Sequence, residues 1–84
     1  MKIKMYKQAL KYYEKLDKNT KSRINKGIEG LLKTPPQGNI KSLKGEFEGL
    51  NRLQISDYRI IYVIDEGLLK ITNILPRGDV YKRI

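Results

Sequence analysis

A chain of 84 residues is expected to form one domain, near the size at which a single apolar core only just suffices. It contains no Cys, which excludes disulfides and thiolate-held zinc, and no His, which removes the usual imidazole base and nitrogen metal ligand. Eighteen Lys and Arg against nine Asp and Glu leave +9, the balance of a protein that meets a polyanion.

No apolar run approaches the roughly 20 residues of a membrane span. The opening Met1-Lys2-Ile3-Lys4-Met5-Tyr6-Lys7 lacks the unbroken apolar stretch of a signal peptide. A soluble, cytoplasmic protein is therefore the expectation, with no membrane partner. The charge is uneven. Residues 1–44 carry twelve cations and three acids, a net +9, while residues 45–84 carry six of each. The first half is almost wholly Lys, with Arg23 as its one Arg; the second half holds Arg52, Arg59, Arg77 and Arg83. Lysine supplies a diffuse, hydrated field, whereas the planar guanidinium grips phosphate in a fixed orientation. The chain reads as a steering half followed by a gripping half.

In chain order, Ile3 and Met5 alternate with Lys2 and Lys4, which suits a short first strand. Ala9, Leu10, Tyr13 and Leu16 recur at helical spacing over residues 7–16. Asp17-Lys18-Asn19-Thr20 then offers cap and turn chemistry. A second amphipathic helix places Ile24, Ile28, Leu31 and Leu32 on one stripe. Gly27 and Gly30 weaken it by about 1 kcal/mol each relative to Ala, a cost that close packing on the first helix would explain. Pro35-Pro36 ends it. Residues 37–49, with Gly38, Gly45 and Gly49, read as a loop. Arg52-Leu53-Gln54-Ile55 alternates, Ser56-Asp57 turns, and Tyr58–Ile64 is β-branched and aromatic. Glu66-Gly67 suits a two-residue hairpin turn into a strand over 68–75, which Pro76 closes. Residues 77–84 form a short basic carboxyl-terminal tail. The expected fold class is α+β: a short amino-terminal strand and two antiparallel helices packed on one face of a largely antiparallel, three- to four-stranded sheet.

The residue inventory sorts the chemistry. A two-metal nuclease needs clustered carboxylates, and the nine acids are scattered, with Asp57, Asp65 and Glu66 at turns. No Gly-rich phosphate or dinucleotide loop joins a strand to a helix. Neither a metal nor another cofactor is expected. Cation and phenol chemistry remains. RNA brings its own nucleophile, the 2′-hydroxyl, so a protein needs only to align it, neutralise a phosphorane and manage two protons. Alternation puts Arg52 and Gln54 on one face, opposite Leu53 and Ile55. A tight turn at Asp57 puts Arg59 on the Arg52 face of the next strand, and Arg77 and Tyr81 emerge beyond the last strand. Arginines on exposed strands are also commonly just solvated, and Tyr6, Tyr12, Tyr13 and Tyr62 read as packing residues. The residues alone give a small basic α+β domain that binds nucleic acid.

The run Leu43-Lys44-Gly45, followed by Leu50-Asn51-Arg52-Leu53-Gln54-Ile55-Ser56-Asp57-Tyr58-Arg59-Ile60-Ile61-Tyr62, resembles the strand-turn-strand core of RelE/ParE-superfamily toxins. Ile74-Leu75-Pro76-Arg77-Gly78-Asp79-Val80-Tyr81-Lys82 resembles their carboxyl-terminal signature, and residues 7–33 fit their helical part. The resemblance implies a RelE-like toxin of a type II toxin–antitoxin pair, a metal-independent endoribonuclease that cleaves messenger RNA on the ribosome by attack of the 2′-hydroxyl on the adjacent phosphate. By matching position, Arg52 would contact phosphate and Arg59 would bind the scissile phosphate. Arg77 would stabilise developing charge or protonate the leaving oxygen. Tyr81 would stack on or orient the substrate and act in proton transfer. Lys44, Gln54 and Lys82 would be supporting RNA contacts. A cognate, partly acidic antitoxin would mask the cationic face.

This sequence departs from several nucleases of the family at Gln54, where they carry a second cation. An amide hydrogen-bonds RNA but cannot neutralise a phosphorane. Two other readings share the fold: a ParE-like inhibitor of DNA gyrase and a non-catalytic RNA-binding member.

Overall fold

The computed structural model describes residues 2–45 and 49–76. Its elements are β1 (Lys2–Met5), α1 (Lys7–Glu14), α2 (Lys18–Leu31), β2 (Asn39–Ser42), β3 (Asn51–Ile55), β4 (Tyr58–Asp65) and β5 (Leu68–Pro76). The strands form one sheet in the order β1-β5-β4-β3-β2. β1 runs parallel to β5, and the other three pairings are antiparallel. The α+β expectation holds, with helices on one face of a mainly antiparallel sheet. The sheet has five strands, because Asn39–Ser42 pairs with β3 where the glycines suggested a loop.

Strand alternation decides what each face carries. Leu53, Ile60, Tyr62, Leu69, Ile71 and Ile74 bury against Ala9, Ile24, Ile28 and Leu31 of the helices. Leu69 and Ile71 share a parity that Ile74 breaks, and an irregularity in the β4–β5 register at Ile61/Tyr62 restores it. Thr72, the extra residue there, donates its hydroxyl to the Ile61 carbonyl at 3.3 Å. The hairpin turns use backbone that strands avoid. Ser56 has φ 53°, while Glu66 and Gly67 have φ 51° and 75°, the paired positive angles of a type I′ turn.

α2 begins at Asp17, whose carboxylate accepts a hydrogen bond from the Thr20 hydroxyl. That bond holds the Asp17 carboxyl below its ordinary 3.8. Tyr13 donates its hydroxyl to Asn25 at 2.8 Å and so ties α1 to α2. The glycines of α2 serve a different contact from the one expected. A Cβ at Gly27 would overlap Ile55 Cδ1 of β3, and one at Gly30 would lie 2.7 Å from the Gln37 carbonyl oxygen. They let α2 approach the sheet and the segment that follows the helix, not α1.

Gly27→Ala should therefore destabilise the fold by about 1–3 kcal/mol despite alanine's better helix propensity. Ile55→Val removes the obstructing Cδ1. Urea unfolding of the two single variants and the double variant should show a favourable coupling, the double being more stable than the two separate losses predict.

Candidate nucleic-acid interface

The face of the sheet away from the helices is built by register. On β3, Leu53 and Ile55 pack toward the helices, so Arg52 and Gln54 stand on the other side. β4 places Ile60, Tyr62 and Ile64 toward the helices and leaves Arg59, Ile61 and Val63 opposite. Gln54 pairs directly with Arg59, and Arg52 with Ile61. Arg52 and Arg59 are thus diagonal neighbours, about 7–8 Å apart at the backbone. The Ser56-Asp57 turn achieves what the sequence required of it.

β2 widens this surface. Lys41 pairs with Arg52 and Asn39 with Gln54, so both face the same side as the arginines. One row across the sheet reads Lys41, Arg52, Ile61, Asn73; the next reads Asn39, Gln54, Arg59, Leu75. Lys41 and Asn39 were missed at the sequence level because their strand was read as a loop. The available signal was Ile40, an isolated apolar residue between polar neighbours, now packed on the core.

The cations border an apolar patch. Leu43, Ile61 and Leu75 form a second buried cluster, with Leu50 packed against it. Ile61 lies opposite Arg52 and Leu75 opposite Arg59, so both guanidinium stems run beside low-polarity surface and both residues are half-buried. Arg52 Nε is buried and has no hydrogen-bond partner among the described residues. A buried N–H left without a partner costs roughly 1–3 kcal/mol. Further along the same face, Lys70 is neutralised by Asp65 at 3.3 Å. Among the described residues no carboxylate bridges Lys41 or Arg52.

Lys44 is exposed and directly follows Leu43. Arg77, Tyr81 and Lys82 lie outside the described residues. Tyr62 faces the helices, and burial pushes its hydroxyl above the ordinary 10.0, so it stays protonated as a packing residue. Tyr12 meets Tyr58 edge-on, with ring centres 6.4 Å apart. Among the described residues no three His, Cys, Asp or Glu side chains gather into a metal-binding group, and no helix is long and apolar enough to cross a membrane.

A second surface lies on the helix side. Ile3, Met5, Leu10, Tyr13, Ile28 and Leu32 line much of an apolar groove of about 370 Å³ between β1 and the helices. Ile3 and Leu10 are 47% and 44% exposed, large values for such side chains. Lys7 and Lys11 flank Leu10 on α1, and the Lys21 ammonium stands 5.6 Å from the centre of the Tyr13 ring.

Residues 3–81 match the family model described as the ParE toxin of the type II toxin–antitoxin system parDE. A search of curated proteins finds no sequence match. Among solved structures, a chain of the archaeal RelE–RelB complex of Pyrococcus horikoshii is 28% identical with a TM-score of 0.74, the match covering 92% of this chain and 94% of that one. The YoeB/ParE toxin of Agrobacterium tumefaciens is 21% identical with a TM-score of 0.80, covering 92% and 99%. A chain of the RelBE2 toxin–antitoxin complex of Mycobacterium tuberculosis is 22% identical with a TM-score of 0.75, covering 90% and 96%.

Proposed function

The chain belongs to the ParE toxin family of type II toxin–antitoxin systems, and from that premise we propose that it is a metal-independent endoribonuclease that cleaves messenger RNA on the ribosome. The observation that carries this reading is the meeting of Arg52 and Arg59 on the sheet face away from the helices, with Arg52 Nε buried and unpartnered among the described residues. Two neighbouring half-buried guanidinium groups beside apolar surface suit one phosphodiester. The low polarity strengthens each charge-assisted bond.

In the reaction, the 2′-oxygen forms a bond to phosphorus and the bond to the 5′-oxygen breaks. The products are a 2′,3′-cyclic phosphate and a 5′-hydroxyl. Arg59 binds the scissile phosphate and Arg52 holds the backbone, so both neutralise charge that grows on the phosphorane oxygens. Arg77 stabilises that charge or protonates the leaving 5′-oxygen, and Tyr81 orients the nucleotide and takes part in proton transfer. Lys44, Gln54 and Lys82 are supporting contacts.

The partner is a cognate antitoxin. Relatives of this fold are named as toxin–antitoxin complexes, and the helix-side groove offers a receptor for an amphipathic segment. Its apolar floor takes the segment's apolar side chains, Asn25 and Glu29 on the lining offer polar contacts, and Lys7, Lys11 and Lys21 on the adjoining helix surface attract an acidic flank. Leu10→Glu should weaken binding of the co-expressed antitoxin about tenfold, roughly 1.4 kcal/mol, while cleavage by the purified toxin is unchanged.

A second reading has a specific support, since the matched family model is that of ParE: the chain would inhibit DNA gyrase by binding. Primer extension on messenger RNA with translating ribosomes and a metal chelator decides between them. The parent should cut in the presence of the chelator. Arg59→Ala and Arg77→Ala should each slow cutting by on the order of 10²-fold or more. Equal rates in both variants would overturn the site, and intact message with inhibited supercoiling would establish the gyrase reading instead.

A further inference from the structure

Position 54 leaves an uncharged place in the middle of the cationic face, with Arg52 two residues before it and Arg59 across from it. The next strand outward supplies a charge that none of the roles above uses. Lys41 lies directly opposite Arg52 in the β2–β3 register, so its stem leaves the sheet on the same side, with the two Cβ atoms about 5 Å apart. It is exposed, and its ammonium makes no hydrogen bond or ion pair among the described residues. The acids of the described residues are on the helices (Glu14, Glu29), at the α2 N-cap (Asp17), at the end of β4 (Asp65) or in the β3–β4 and β4–β5 turns (Asp57, Glu66); β2 and β3 carry none. The face thus presents Lys41 and Arg52 in one row and Arg59 in the next, with the amides of Asn39 and Gln54 completing the second row.

From this arrangement we infer that Lys41 is a substrate-positioning residue, which binds a backbone phosphate of the RNA neighbouring the one held by Arg52 and Arg59. The inference rests on the endoribonuclease reading and extends its site onto β2. Single-stranded RNA crossing the sheet from β4 to β2 meets Arg59, then Arg52, then Lys41. The long flexible stem of Lys41 lets its ammonium follow the backbone without a fixed geometry. Asn39 and Gln54 offer hydrogen bonds to sugar or base along the same path. In this way Lys41 provides on the edge strand the cation that Gln54 does not provide on β3. A lysine on an edge strand also has a structural use, that of discouraging edge-to-edge pairing with another sheet, and the test separates the two roles.

The probe is a single-stranded 2′-O-methyl RNA oligonucleotide, which has no free nucleophile and so reports binding alone. Its affinity is measured over a salt series for the parent, Lys41→Gln, Lys41→Arg and the double variant Lys41→Gln/Gln54→Lys. Loss of one phosphate contact lowers the slope of log affinity against log salt by about 0.7 for a single strand. Lys41→Gln should lose that much, Lys41→Arg should keep the parent slope, and the double variant should regain it. Single-turnover cleavage should follow the same order, and the thermal unfolding midpoint should not move, because Lys41 is exposed. A parent that binds with a steep salt slope shared by Lys41→Gln would overturn the role of Lys41 and leave the nuclease reading intact. Self-association of Lys41→Gln with an unchanged slope would assign the lysine to edge protection. A parent that neither binds nor cuts RNA would remove the reading itself and this inference with it.

Discussion

Burial of the helix-facing side of the sheet sets the strand register on which the candidate site depends. Leu53, Ile60, Tyr62, Leu69, Ile71 and Ile74 must all reach the helices, and side chains alternate with period two, so a slip of one residue between strands would turn a whole set outward. The apolar side therefore sets the register, and the register sets the other side. Lys41 comes to lie opposite Arg52, and Gln54 opposite Arg59. The core and the candidate site are two readings of one constraint.

The open face is not a uniformly wet surface. Ile61 and Leu75 are buried within it, beside Leu43. The guanidinium groups next to them work against a medium less polar than water, where a phosphate contact is stronger than on a lysine-rich helix surface. This difference separates the two kinds of positive charge in the chain. The exposed lysines of α1 and α2 contribute a long-range field that salt screens within about 8–10 Å. In the proposed reading, Arg52 and Arg59 would contribute short contacts of fixed geometry. Many lysines of the first half lie on α1 and α2, while Lys41 of β2 joins Arg52 and Arg59 on the other side of the sheet.

Much of this was legible from residue order because the long strands alternate cleanly and their turns carry the expected residues. The meeting of Arg52 and Arg59 followed from alternation plus a two-residue turn. β2 was hidden by Gly38, Gly45 and Gly49 and by its single apolar residue, Ile40; its pairing is specified by β3, whose partner residues lie beyond the intervening glycine-rich segment. Lys41 was lost with it. Gly27 and Gly30 were recognised as permitting a close approach, but not what approaches, since the Ile55 methyl and the Gln37 carbonyl are brought there by tertiary packing. The parallel pairing of β1 with β5 was equally out of reach of local pattern. Arg77, Tyr81 and Lys82 lie outside the described residues, so for them sequence resemblance remains the whole argument. The fold itself serves unrelated functions, and the choice between RNA and gyrase rests on the chemistry of the sheet face.

The central claim is that RNA lies on that face and not along the helices. The direct measurement is a two-dimensional NMR titration of the labelled protein with non-cleavable single-stranded RNA, following the arginine Nε–Hε signals and the leucine and isoleucine methyls. The account predicts large shifts at Arg52 and Arg59 and at the Ile61 and Leu75 methyls, with Ile3 and Leu10 still. Shifts confined to Ile3, Leu10 and the helix residues, with both arginines unmoved, would contradict it.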